Sequence, residues 1–135
     1  MNVASTSGHL TNYSAEIRKR FLDSKTEDDV TQLLFEFASA VEAGKEKERG
    51  WPSAAYAVSK AGLIGATRAL ANAEKEKGGK VLINSCCPGY VNTDMTKGRG
   101  TKTPDEGAQT PVMLALQDLK GQAGLFWRDE KPIEW

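Results

Sequence analysis

A strand-like run, Val81-Leu82-Ile83-Asn84-Ser85-Cys86, breaks abruptly at Cys87-Pro88-Gly89 and is preceded by a long helical stretch. No other feature restricts the fold as much. The stretch before it, Tyr56 through Glu76, reads as one helix with Leu63, Ala66, Thr67, Leu70 and Ala73 near one stripe. Gly62 and Gly65 weaken such a helix by roughly 1 kcal/mol each, which implies close packing against a neighbour. After the run, Thr103-Pro104-Asp105-Glu106 has the marks of a helix start: a capping hydroxyl, Pro at the first position and acids in the first turn. That helix carries Val112, Leu114, Ala115 and Leu116, and Gly124-Leu125-Phe126-Trp127 is a last short strand. At the other end, Asn2-Val3-Ala4-Ser5 reads as a strand end opening into Thr6-Ser7-Gly8. Strands alternating with helices predict an α/β fold with three parallel strands, the first of them an exposed edge.

The segment between the first strand and the long helix carries two more helix patterns. Ser14 caps a short amphipathic stretch through Leu22, with Ile17 and Phe21 on one face. Thr26 with Asp29 three residues on has the spacing of a capping box, with Asp for the usual Glu. Val30, Leu33, Leu34, Phe37 and Val41 follow at helical spacing until Gly44 stops the run. Residues 11–50 therefore form a helical insertion before Gly50-Trp51-Pro52.

Charge and composition exclude several functions. Eighteen basic residues balance 18 acidic ones, so no basic field attracts nucleic acid or an anionic membrane. No run of about 18 apolar residues is available to span a bilayer, and no charged-then-apolar leader follows Met1. The cytoplasm is the expected location. With two cysteines and one histidine (His9), no zinc set forms. Cys86 and Cys87 are adjacent at a strand end, where a vicinal disulfide requires unusual strain. Both fit as small apolar filler.

Chemistry enters with Tyr56 and Lys60. Four residues apart on a helix, the phenol and the ammonium share one face. A nearby cation favours the phenolate, which suits a tyrosine to proton transfer nearer neutral pH than its free pKa of about 10 allows.

Taken together, Asn2-x-x-Ser5 at a strand end, Tyr56-x-x-x-Lys60 opening a helix and Pro88-Gly89-x-x-x-Thr93 after the next strand resemble the second half of the short-chain dehydrogenase/reductase family. All three stand in that family's order. Most members place the serine about a dozen residues before the tyrosine; here some fifty positions intervene. A helical insertion there, the string Cys86-Cys87-Pro88-Gly89-Tyr90-Val91-Asn92-Thr93-Asp94-Met95 and a chain ending at Trp135 are similar to the monomeric carbonyl reductases. The resemblance implies a partial NAD(P)-binding, Rossmann-like domain over 1–135, the C-terminal part of a doubly wound parallel sheet.

It also implies roles. Ser5, Tyr56 and Lys60 are the catalytic set, with Tyr56 the proton donor to a carbonyl oxygen and Ser5 holding that oxygen. Tyr56, Lys60, Pro88, Gly89, Val91 and Thr93 border the cofactor, Lys60 through the nicotinamide ribose. Ser5, Ala55, Cys87 and Tyr90 border the substrate, with Cys87 as a reactive thiol and Tyr90 in place of the family's common tryptophan. NADPH is the expected cofactor in preference to NADH, and aldehydes, ketones and quinones are the expected substrates. Residues 96–102 are expected as a loop over the cofactor. The insertion is expected to cover the surface that other members use to dimerise, leaving a monomer. Simpler structural readings stand beside these: Ser5 as a polar strand end, Tyr56 as a half-buried helix tyrosine, Thr93 as an N-cap.

No Gly-x-x-x-Gly-x-Gly turn, the element that holds a dinucleotide pyrophosphate, occurs in the sequence. The chain thus reads as a C-terminal fragment of a reductase, with a second possibility that it is a catalytically inactive remnant or an interaction module.

Overall fold

The computed structural model describes residues 1–135. Four strands lie side by side in chain order: β1 (Asn2–Val3), β2 (Ser85–Cys87), β3 (Phe126–Arg128) and β4 (Lys131–Ile133). The first three are parallel and β4 runs antiparallel to β3. Four helices accompany them: α1 (Ala15–Asp23), α2 (Glu27–Glu42), α3 (Ala55–Glu76) and α4 (Pro104–Leu116). None is long and apolar enough to cross a membrane.

Alternation along the strands places side chains on two covered faces. Cys86 packs with Trp127 and with Met113 and Leu114 of α4, whereas Cys87 packs with Ala4, Phe126 and Ile64 of α3. The sheet is therefore sandwiched between α3 and α4, the arrangement expected of parallel strands joined by crossover helices. α1 and α2 form a further layer on the far side of α3. Their core is aromatic: Trp51 sits 5.5 Å from Phe37 and 6.1 Å from both Tyr13 and Phe21, ring centre to ring centre.

Local signals account for these helices. Ser14 Oγ accepts from Ile17 N (3.2 Å), and Thr26 and Asp29 close a reciprocal capping box. Val30, Leu33 and Phe37 are buried as the spacing predicts, but Ala40 continues their line and Val41, one position round, is exposed. Gly62 and Gly65 admit α2: a Cβ at Gly62 would lie 2.9 Å from the Leu34 methyls, and one at Gly65 3.3 Å from Val30.

Four expectations are corrected. On α3 the buried set is Val58, Ala61, Gly62, Ile64, Gly65, Thr67, Ala69 and Ala71. Leu63, Ala66, Leu70 and Ala73 are only half-buried. A helix covered by the sheet on one side and α2 on the other buries small residues on two faces rather than one stripe. On α4, Val112, Ala115 and Leu116 are exposed, because only Met113 and Leu114 of that apolar run turn toward Cys86 and Trp127. Third, the 81–86 strand shifts to Ser85–Cys87, leaving Val81 and Leu82 exposed beyond the ladder. Backbone bonds still reach Ile83 O (from Gly124 N, 2.8 Å) and Asn84 O (from Asn2 N, 2.9 Å), and Asn84 adds its side chain to them. Its buried carboxamide accepts from Leu125 N (3.0 Å) and Trp127 Nε1 (3.3 Å) and donates to Gln122 O (2.8 Å), doing by side chain what a ladder does by backbone. Fourth, the sheet has four strands, not three. β3 and β4 turn through Asp129 and Glu130, both left-handed (φ 50° and 61°), as a two-residue hairpin requires. Neither residue is glycine or asparagine, so the sequence carries no ordinary sign of that turn.

Candidate active site

The ends of β1 and β2 and the first turns of α3 and α4 converge on a cavity of about 390 Å³. Crossover connections bring this about, since parallel strands all present their C-terminal ends to one edge of the sheet. β1 delivers Val3 and, just beyond its end, Ala4 and Ser5; α3 delivers Tyr56 and Lys60. The segment leaving β2 supplies Cys87, Pro88, Gly89, Val91 and Thr93.

Tyr56 stands at the mouth, 54% exposed, and its hydroxyl makes no hydrogen bond within the chain. Lys60 lies one turn on. Its ammonium sits 5.6 Å from the centre of the Tyr56 ring and donates to Val3 O (3.1 Å), so the lysine ties α3 to the end of β1. Ser5 caps the short 3-10 turn Thr6–Gly8, its Oγ accepting from Ser7 N (3.1 Å). Gly8, at the end of that turn, lets the chain cross α3 directly over the backbone of Lys60 and Ala61.

Both thiols are reduced and buried. Burial, with the neighbouring Cys87 adding to it, pushes the Cys86 thiol up to about 11. Cys87 is 4% exposed, faces the cavity and touches Thr6 Oγ1 at 3.8 Å. Gly89 turns the backbone with φ +91°. Thr93 opens a 3-10 turn over Asp94–Thr96, its N–H donating to Thr96 Oγ1 (3.1 Å).

Two expected substrate positions do not line the cavity. Ala55 is exposed at the N-terminus of α3, and Tyr90 is 51% exposed on the outside of the turn. Five lining residues had no site role in the sequence reading, Val3, Ala4, Met95, Pro104 and Gly107, whereas Thr96 opens the 96–102 loop expected over the cofactor. Met95 immediately precedes that loop. Pro104 and Gly107 were legible only as parts of a helix start, and Gly107 is there because a Cβ would collide with Val91 Cγ2.

Comparison with known proteins bears on this arrangement. The sequence pattern of the short chain dehydrogenase family matches residues 39–104. Carbonyl reductase (NADPH) 1 of Mus musculus is 40% identical over 131 residues, covering 93% of this chain and 47% of that protein. Carbonyl reductase (NADPH) 3 of Rattus norvegicus is 40% identical over 142 residues, covering 100% and 51%. The chain thus spans about half the length of the curated relatives it matches. Among solved structures, salutaridine reductase from Papaver somniferum superposes with a TM-score of 0.82 at 34% identity, over 93% of this chain and 43% of that one. A parallel sheet between helices, the serine, tyrosine and lysine at one edge of it, and these relatives agree: the chain is similar to members of the short-chain dehydrogenase family.

Proposed function

We propose that this chain forms the nicotinamide side of a site that reduces aldehydes, ketones or quinones with NADPH. One observation carries the reading: Ser5, Tyr56, Lys60 and the Cys87–Val91 segment, remote in sequence, line a single cavity of a size suited to a small molecule. The residues fit the cofactor. Gly89, in a left-handed conformation, turns the backbone at the cavity wall, and Lys60 keeps two ammonium donors beyond its bond to Val3 O for ribose hydroxyls. Val91 and Thr93 offer groups to a carboxamide. NADPH, when bound, supplies the hydride.

The remaining chemistry belongs to the chain. Ser5 Oγ accepts from Ser7 N and still has its own O–H to donate, which holds a carbonyl oxygen and stabilises the charge that develops on it. Tyr56, whose hydroxyl is free of other partners, gives that oxygen its proton. The Lys60 ammonium over the phenol then stabilises the charge left behind. Cys87 forms the buried wall on the substrate side. Residues 1–135 act as part of one dinucleotide-binding domain, with 11–50 as its helical insertion. Because α2 covers Gly62 and Gly65 of α3, that helix face is closed to a second copy, and the protein is a cytoplasmic monomer.

The alternative is a catalytically inactive remnant or an interaction module. Titration of the chain with NADPH, followed by fluorescence, separates the two. Saturable binding, weakened by Lys60→Ala and retained by Tyr56→Phe, is the expected result. Tyr56→Phe should cost carbonyl turnover about 10²- to 10⁴-fold, the usual range for a lost general acid. Soluble chain that binds no NADPH would overturn the proposal in favour of the alternative.

A further inference from the structure

The cavity wall from Pro88 to Thr93 is held by backbone bonds at Tyr90 and Asn92 and by side chains laid against Gly89 and Val91. Lys102 is at the centre of them. Its backbone bridges Val91: Asn92 N donates to Lys102 O (2.8 Å), and Thr101 N and Lys102 N both donate to Tyr90 O (2.8 and 3.0 Å). These bonds close the neck of a loop whose body, 92–101, carries Met95 and Thr96 into the cavity. Gly100 is required in the neck, since any Cβ there would meet the Val91 backbone.

The Lys102 side chain continues the same work. Its stem lies across Gly89, with Cδ and Cε 3.0 and 3.1 Å from where a Cβ would be. Its ammonium then reaches Asp129, in an ion pair and hydrogen bond. Asp129 is held for this by the hairpin between β3 and β4. The left-handed pair Asp129-Glu130 is fixed by Arg128 Nε against the Asp129 carboxylate (3.2 Å) and by Glu130 N donating to Thr110 Oγ1 of α4 (3.0 Å). Strained turns of this kind persist where surrounding contacts over-determine them.

We propose that Lys102 and Asp129 are positioning residues, a latch that ties the neck of the 92–101 loop to the β3–β4 hairpin and so holds the Pro88–Thr93 wall of the cavity. The role of that wall as the nicotinamide side rests on the function proposed above; the latch itself does not. The pair is partly exposed, with side chains 27% and 56% accessible, so its effect is graded and salt-sensitive rather than all-or-none.

Trypsin reads the latch directly. Lys97 and Arg99 are exposed in the loop, but cleavage there needs the neck to open, and the rate follows the open population when reclosing is fast. In the 135-residue chain at 0.1 M NaCl, Asp129→Asn and Lys102→Met should each speed cleavage after Lys97 and Arg99 about two- to fivefold, the range of a partly exposed ion pair. Methionine keeps the stem over Gly89. The double variant should cleave no faster than the singles, Asp129→Glu should restore the wild-type rate, and urea midpoints should fall by no more than about 0.7 M, the same two- to fivefold effect divided by a slope of about 1.5 kcal/mol/M. At 1 M NaCl, where charges are screened within about 3 Å, variants and wild type should converge. Wild-type cleavage in the single variants, additive rates in the double, or a difference that survives high salt would each overturn the latch. NADPH affinity is the second readout. A Kd raised by a similar factor in Asp129→Asn supports the positioning role, and tight binding indifferent to Asp129 overturns it. Faster cleavage in a chain that binds no NADPH at all supports the latch and sinks only the nicotinamide reading.

Discussion

Replacing Gly8 by alanine tests how the serine strand is seated on the tyrosine helix. A Cβ at Gly8 would lie 2.7 Å from Ala61 N and from Lys60 C, and 3.1 Å from Lys60 Cβ. Ordinary contacts of this kind begin at 3.4 Å, so chain and helix must separate by about 0.7 Å. The two nearest atoms are backbone, and no rotamer change relieves them. Overpacking of that sort costs about 1–3 kcal/mol. Against it, alanine lowers the entropy of the unfolded chain by about 0.4–1 kcal/mol, since Gly8 is not in a left-handed conformation. The net loss is about 1–2 kcal/mol. With a urea slope of about 1.5 kcal/mol/M, the midpoint should fall by about 1 M. The clash falls on Lys60 itself, so NADPH affinity should suffer beyond what the lost stability explains. An unchanged or higher midpoint would refute the close approach on which the geometry of Ser5, Tyr56 and Lys60 depends.

Other perturbations probe the core around the site. Asn84→Ala strands the buried Trp127 Nε1 and leaves the part-buried bonds to Leu125 N and Gln122 O unmade, at about 1–3 kcal/mol for the buried group and less for the others, so urea denaturation should show a loss of about 2–4 kcal/mol. Tyr13→Phe should hold or raise the urea midpoint, because the Tyr13 hydroxyl is buried without a partner. Alkali should destabilise the chain. Burial pushes the Cys86 thiol up to about 11 and the Tyr13 phenol up to about 12, so the folded state keeps protons that the unfolded chain releases from pH 9 and 10 upward. The stabilisation is therefore complete below pH 9 and lost as pH rises toward 11, on the order of 2–3 kcal/mol for Cys86. Urea midpoints between pH 8 and 11 should fall in the wild type and flatten in Cys86→Ala; a flat wild-type profile would contradict the burial.

What was legible in the sequence is local. Ser14, Thr26 with Asp29, and Thr103 with Glu106 announce helix starts because a cap is satisfied within three residues of itself, and each of these caps forms. Tyr56 and Lys60 share a face because helical geometry alone places i and i+4 together. The family motifs carried the assembly of the candidate site, since a shared order of Ser, Tyr-x-x-x-Lys and Pro-Gly stands in for contacts that spacing cannot supply. Tertiary structure decided the rest. The strand that apolar character would extend to Val81 makes its last backbone bond at Ile83 O, from Gly124 N, and finds no backbone partner beyond it. Gly8 and Gly107 look like any glycines until α3 and Val91 are laid against them. The β3–β4 hairpin turns on Asp-Glu, of which only Asp favours left-handed backbone, and it is held there by Lys102 and Thr110 from two other parts of the chain and by the adjacent Arg128. Capping, periodicity and motif order act over a few residues and can be read in one dimension. Which face is buried, where pairing stops and what braces a strained turn depend on partners remote in sequence, and those become neighbours only when the chain has folded.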